Sequence, residues 1–190
     1  MEISTPRLVL RNWKTEDRDL FREITRDPKV MEFFPYRRTH AEADAMRERI
    51  SHQIATSGLG MFAVSDKATG EAMGFCGVAP VNLPGILPEG AHEIGWRLAT
   101  RFWSQGYVTE AATAALGYAF QNFGLNEIYA FAVCENRRSI AVMERIGMQR
   151  MTGRDFAHPQ VPETHPHLSM HVLYRIERPA AVVSERYRKP

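Results

Sequence analysis

EIGWRLATRFWSQGYVTEAA, residues 93–112, is the stretch whose reading decides the fold. Its opening belongs to HEIGWRLA (92–99), where apolar and polar side chains alternate, and this predicts a half-buried strand. TRFWSQG then supplies a loop ending in Gly106. YVTEAATAALGYAFQNF (107–123) repeats its apolar residues at helical spacing and stops at Gly124. A strand that ends in a glycine-bearing loop and at once starts a helix is a place where phosphate groups bind. The first amides of a helix lack internal partners, its dipole adds about half a positive charge, and glycine lets an oxygen approach the backbone closely. Thr109 adds a hydroxyl near the first turn.

Downstream, IYAFAVCE (128–135) is a continuous apolar run, as in a strand buried on both faces. Asn136 caps a short helix, RRSIAVMERIG, that ends at Gly147. MQRMTGRDF and LSMHVLYRIE read as two last strands around a loop rich in Pro and His. Upstream, MFAVSD and MGFCGVAPV form an antiparallel hairpin about KATGE, and NLPGILPEG is a loop. A long helix over HAEADAMRERISHQIAT begins behind Thr39, carries Ala43, Met46, Ile50 and Ile54 on one stripe, and stops at Gly58. Before it, RLVLRNW (7–13) reads as a strand, and TEDRDLFREIT as a helix capped by Thr15 and closed at Asp27-Pro28. The order predicts an α/β domain with a mixed sheet, one domain over residues 1–178 and a frayed tail over 179–190.

The 190 residues fit one domain, and 44% hydrophobic with 24% charged residues lies near the globular average. A net charge of +2 without a basic block makes nucleic acid a poor partner. The absence of a leader pattern and of any apolar run of about 18 residues argues against secretion and membrane spanning, so a cytoplasmic protein is expected. Cys76 and Cys134 fall in apolar strand-like runs and read as buried thiols rather than a disulfide. Gly58-Leu-Gly60 follows a helix and precedes a strand, the reverse of a dinucleotide-binding turn. His165, His167 and His171 share strand parity, but Pro166 breaks it and nothing completes a metal site; no metal is expected.

Four motifs now stand in order: Thr5 to Arg11 as T-x-R-L-x-L-R, Glu93 to Trp96 as E-I-G-W, Trp103 to Ala111 as W-x-x-G-Y-x-T-E-A, and Asn136 to Gly147 as N-x-x-S followed by glycine. Together they resemble the GCN5-related N-acetyltransferases, most of all the ribosomal-protein alanine acetyltransferases of the RimJ and RimL type. The loop departs from the general [QR]-x-x-G-x-[GA] at both outer positions, Trp103 and Val108, while Gly106 is kept. Met143 stands where a tyrosine is frequent.

The resemblance implies a mostly antiparallel mixed sheet whose central parallel strands splay apart, with flanking helices. It implies acetyl-CoA as co-substrate, its pantetheine arm lying between residues 94–98 and 130–134. Trp96, Leu98, Trp103, Ser104, Gln105, Gly106, Tyr107, Val108, Thr109, Asn136 and Ser139 are the implied cofactor contacts. Glu93 is the candidate base, Ser139 the candidate acid toward the thiolate, and Asn136 a candidate for orienting the pantetheine amide. Phe33, Phe34 and Tyr36, with His167 on the loop before the last strand, are expected to meet the acceptor, a protein N-terminus or a small primary amine. Another short acyl-CoA donor, or a CoA-binding module without activity, is the alternative. A monomer or homodimer is expected.

Overall fold

The structure, a computed structural model, describes residues 2–180; positions 181–190 of the expected tail lie outside the described residues. The strands are β1 (Glu2–Ser4), β2 (Leu8–Arg11), β3 (Gly60–Asp66), β4 (Ala72–Pro80), β5 (His92–Leu98), β6 (Glu127–Val133), β7 (Gln149–Arg150), β8 (Phe156–Ala157) and β9 (Met170–Glu177). The helices are α1 (Arg18–Ile24), α2 (His40–Ser57), α3 (Tyr107–Phe123) and α4 (Arg137–Arg145). The sheet runs β1-β2-β3-β4-β5-β6-β9-β7, with β8 also on β9. Every described pairing is antiparallel except β5 with β6. This is an α/β domain with the mixed sheet read from the sequence.

Register sorts the side chains onto two faces. Phe62, Cys76 and Trp96 are register partners, and Phe62 meets Tyr118 of α3 edge-on at 6.1 Å. Phe75 and Arg97 are partners on the opposite face, where Phe75 stacks on Phe21 of α1 at 6.3 Å. α3 lies against its face through Ala111, Ala112, Ala115 and Ala119, all buried, whose small side chains let the helix axis come close. The opposite face is closed by Trp13, Phe21, Ile24, Ala43, Ile50 and Ile54. A smaller cluster, Leu83, Leu87, Ala91, Tyr129 and Leu173, sits beneath the loop at residues 81–91.

Several local expectations are met by named interactions. Thr39 Oγ1 accepts from Glu42 N while the Glu42 carboxylate accepts from Thr39 N, a reciprocal cap of α2, and Gly58 ends that helix at φ 76°. Others are corrected. The single strand expected at 7–13 is shorter and pairs with β1, which the sequence reading missed. Thr15 does not cap α1; it opens a 3₁₀ turn, and Asp17 instead accepts from Lys14 N at 2.8 Å and pairs with buried Arg11. The strand expected over 148–156 reduces to β7 and β8, because a turn at Gly153 interrupts it. Cys76 is buried in β4, whereas Cys134 lies one residue beyond β6 and is half-buried.

Candidate functional site

β5 and β6 are neighbours in the sheet but share one ladder pair, Glu93 with Tyr129. Beyond it, Ile94–Leu98 on β5 and Ala130–Val133 on β6 make no bonds to each other, so the strands part toward the C-terminal end of β5. At that end Trp103 Nε1 donates to the Leu98 carbonyl at 2.8 Å and folds the loop back on its own strand. Ser104 at φ 62° and Gly106 at φ 78° are both left-handed, a conformation costing a residue with a Cβ about 1 kcal/mol or more. The result is a turn whose amides point outward. The N–H groups of residues 104–109 donate to no acceptor among the described residues; the first helical bond is Glu110 N to Gly106 O. Such a run of unpartnered amides at a helix start is an anion cradle.

The cradle is held from the first motif. Arg7 Nε donates to Glu110 Oε2 at 2.7 Å, Thr5 Oγ1 and Arg7 N donate to Oε1, and Arg7 Nη1 reaches the Gln105 carbonyl at 3.1 Å. The guanidinium also lies 4.6 Å over the Tyr107 ring. Leu98 is buried in the core and its carbonyl is taken by Trp103, and Trp96 packs partly against the same core.

Glu93 lies on the face away from α3, flanked by Ala79 and Tyr129, and burial pushes its carboxyl up to about 7. A carboxyl so placed gains and loses a proton near neutrality. Across the gap, Asn136 Oδ1 accepts from Ser139 N at 3.1 Å and caps α4, while no partner within the described residues is found for Ser139 Oγ. Met143 is buried against the core, so α4 offers no side-chain donor there.

The expected acceptor residues fall on two loops that meet. Tyr36 packs edge-on to His165 at 6.0 Å, and His165 lies 6.0 Å from His167. Phe33 lies 5.9 Å from the Arg138 guanidinium, which in turn covers Trp103 at 4.6 Å and pairs with Glu32, linking the loop before α2 to the loop before α3. Phe34 lies over Arg97 at 4.2 Å. Sequence reasoning missed Arg97, Arg138 and an aromatic group made of Phe131, Phe156, His158 and His171. His158 and His171 are 4.8 Å apart; burial, then the neighbouring imidazole, lowers His158 to about 4, so it is neutral at physiological pH. Period-two parity with Glu93 was the available signal for Arg97; the others come together only through tertiary folding. Among the described residues no group of three or more His, Cys, Asp and Glu could hold a metal, and no helix is long and apolar enough to cross a membrane.

The sequence model of the acetyltransferase (GNAT) domain family matches residues 7–149. The chain is 33% identical over 136 residues to the uncharacterized protein YkkB of Bacillus subtilis, covering 70% of this chain and 77% of that one. It is 31% identical over 150 residues to the FsC-acetyl coenzyme A-N(2)-transacetylase of Aspergillus fumigatus, covering 77% of this chain and 64% of the relative. A solved GNAT-family acetyltransferase from Bacillus anthracis superposes with a TM-score of 0.74 at 27% identity, over 94% of this chain and 99% of the other. With a strand pair that parts beside a cradle of free amides, and with a family match over most of its length, the chain belongs to the GNAT acetyltransferase family.

Proposed function

We propose that the protein transfers an acetyl group from acetyl-CoA to a primary amine by direct attack of the amine on the thioester. The observation that carries this reading is the parted β5–β6 pair, which leaves strand edges free beside the unpartnered amides of residues 104–109. An extended amide-bearing arm can take such edge hydrogen bonds while its phosphates rest on the amides. The transacetylase of A. fumigatus, by its name, uses acetyl-coenzyme A, which supports the same donor here.

Acetyl-CoA, when bound, supplies an activated acyl carbon with a thiolate leaving group. Glu93, poised near 7, takes the proton from the ammonium directly or through water and leaves the amine neutral for attack. Backbone amides on the free edge of β5 stabilise the oxyanion. As the C–N bond forms and the C–S bond breaks, Ser139 Oγ–H gives a proton to the departing sulfur and is reprotonated through water by the second proton that the attacking nitrogen sheds. A thiol of ordinary pKa about 8.5 leaves readily, so that help is modest. Phe33, Phe34, Tyr36 and His167 line the acceptor's approach, and a protein N-terminus or a small amine both fit this description.

Purified protein mixed with acetyl-CoA and, in turn, N-terminal peptides, polyamines and aminoglycosides should release free thiol with at least one of them. Binding of acetyl-CoA without thiol release from any acceptor would favour the idle CoA-binding module instead.

A further inference from the structure

Arg97 is half-buried and its guanidinium has no carboxylate partner among the described residues. Its Nε and Nη1 are shut off from solvent and meet no acceptor, and none of its N–H groups has a hydrogen bond among the described residues. Its contacts are the rings of Phe34 at 4.2 Å and Phe75 at 5.3 Å, and the charged group acting on it is a second guanidinium, Arg38. Burial first, then Arg38, lowers its pKa to about 10, so it stays charged at neutral pH. Removing a charge from water costs several kcal/mol unless it is paired. The like charge of Arg38 adds to that cost. Rings alone offset only part of it.

The position of Arg97 says what would complete it. It shares a strand face with Glu93, four residues away, about 13 Å at roughly 3.3 Å per residue. The residue between them on that face is Gly95, which places no side chain there; a Cβ would come 3.0 Å from the tip of Met61. The amides of the phosphate cradle begin α3, which packs on the other face. Phe34, which covers the guanidinium, is 44% exposed and stands on the loop that meets His165 and His167 through Tyr36.

We infer that Arg97, seconded by Arg38, is a specificity subsite for an anionic group of the acceptor, a carboxylate or a phosphate carried at a distance from the reacting amine. The inference rests on the transferase reading for the position of the amine at Glu93. A guanidinium offers such an anion a planar fork for paired, charge-assisted hydrogen bonds, and the anion supplies the acceptors that Arg97 lacks among the described residues. Amines lacking the anion would leave Nε and Nη1 without acceptors.

The test compares ω-aminocarboxylates and ω-aminoalkyl phosphates of increasing length with alkylamines of the same lengths as acceptors, following thiol release from acetyl-CoA. The anionic series should be preferred in kcat/KM by about 10- to 100-fold at the best length, the worth of one or two hydrogen bonds to a charge. Arg97→Leu should collapse the ratio toward one, and Arg97→Lys, which keeps the charge and loses the fork, should retain part of it. Binding of the N-acetylated ω-aminocarboxylate, measured by calorimetry in the presence of CoA, supplies a readout independent of turnover: wild type binds and Arg97→Leu does not. Product binding without turnover of any amine would count against the transferase reading and support the anion site. Equal kcat/KM for charged and neutral amines, or product binding that Arg97→Leu leaves intact, overturns the inference. Weakened acetyl-CoA binding in Arg97→Leu, matching any loss for the acceptor, would assign the guanidinium to the coenzyme's own phosphates and overturn it too. A merely structural Arg97 would lower the melting temperature on replacement; relief of a bare buried charge leaves it unchanged or raises it.

Discussion

Arg7 and Glu110, 103 residues apart, are joined by a 2.7 Å ion pair that ties the entrance of β2 to the first turn of α3. Burial works to raise the Glu110 carboxyl, and the bonds from Thr5 and Arg7 outweigh it, holding it below the ordinary range. The same guanidinium binds the Gln105 carbonyl through Nη1. A trans peptide is planar, so turning that carbonyl toward Arg7 turns the Gly106 N–H the opposite way, outward into the cradle. Arg7→Ala should therefore weaken acetyl-CoA binding by about 2- to 10-fold, the value of a typical hydrogen bond. Titration calorimetry checks this, and an unchanged affinity would show that the loop needs no tie.

Gly106 separates backbone strain from ligand blockade. Its φ of 78° is unfavourable for any residue with a Cβ, yet an added Cβ would meet nothing nearer than Arg7 Nη2 at 3.5 Å, an ordinary contact. Gly106→Ala should cost about 1–2 kcal/mol of stability through the backbone alone. Gly106→Glu should in addition abolish stabilisation by acetyl-CoA, because it sets a carboxylate against the phosphates. In wild type that stabilisation should approach about 2.7 kcal/mol at a ligand concentration near 100 times Kd. Thermal melts with and without acetyl-CoA read both effects; a full melting shift in Gly106→Glu would remove the pyrophosphate from this loop.

Glu93 should leave a mark on both stability and rate. Its carboxyl rises from an ordinary 4.5 to about 7 because burial penalises the charged form. The protonated form is therefore the one that folding tolerates. Its contribution is present below pH 4.5, is lost as pH rises to about 7, and changes no further above that. Glu93→Gln should thus be more stable than wild type at pH 8, by on the order of 1–3 kcal/mol, with the difference vanishing near pH 4. In the same variant the acidic limb of the kcat/KM profile, with its midpoint near 7, should disappear. Chemical denaturation at several pH values and a pH–rate series check the two halves separately. A retained limb would send the ammonium proton to bulk water.

Ser139 and Asn136 are adjacent in function but separable by mutation. Ser139 Oγ has no partner to lose among the described residues, so Ser139→Ala should leave stability and acetyl-CoA affinity nearly unchanged while lowering kcat by at most about 10²-fold. Asn136→Ala removes the cap of α4 and should cost about 1 kcal/mol of stability. Wild-type kcat in Ser139→Ala would leave the thiolate to depart without an acid.

The parts legible in the sequence were those whose signal is local. The cap pair Thr39 and Glu42, the stops at Gly58 and Gly124, the alternation over 92–98 and the glycine loop before α3 each sit within a few residues of what they control. The pairing of β5 with β6 and the splay beyond Glu93 came only through family resemblance, since parallel partners 36 residues apart leave no local trace. The short strand β1 was missed because three residues carry no readable period, and Thr15 was assigned a cap of α1 that no side chain makes, because the Asp17 carboxylate at the start of that helix is bound to Lys14 N and to Arg11. At the site, the bonds of Arg7 to the cradle, the meeting of Tyr36 with His165 and the bare charge of Arg97 join segments distant in the chain, and no spacing rule reaches them.

The most direct measurement is transfer of isotopically labelled acetyl from acetyl-CoA to an amine, read by mass spectrometry together with thiol release. Equal amounts of acetylated amine and free thiol are expected, with both abolished or strongly reduced in Gly106→Glu. Thiol release without acetylated amine, or no release of either with any acceptor while acetyl-CoA remains bound, would contradict the assignment of this site to amine acetylation.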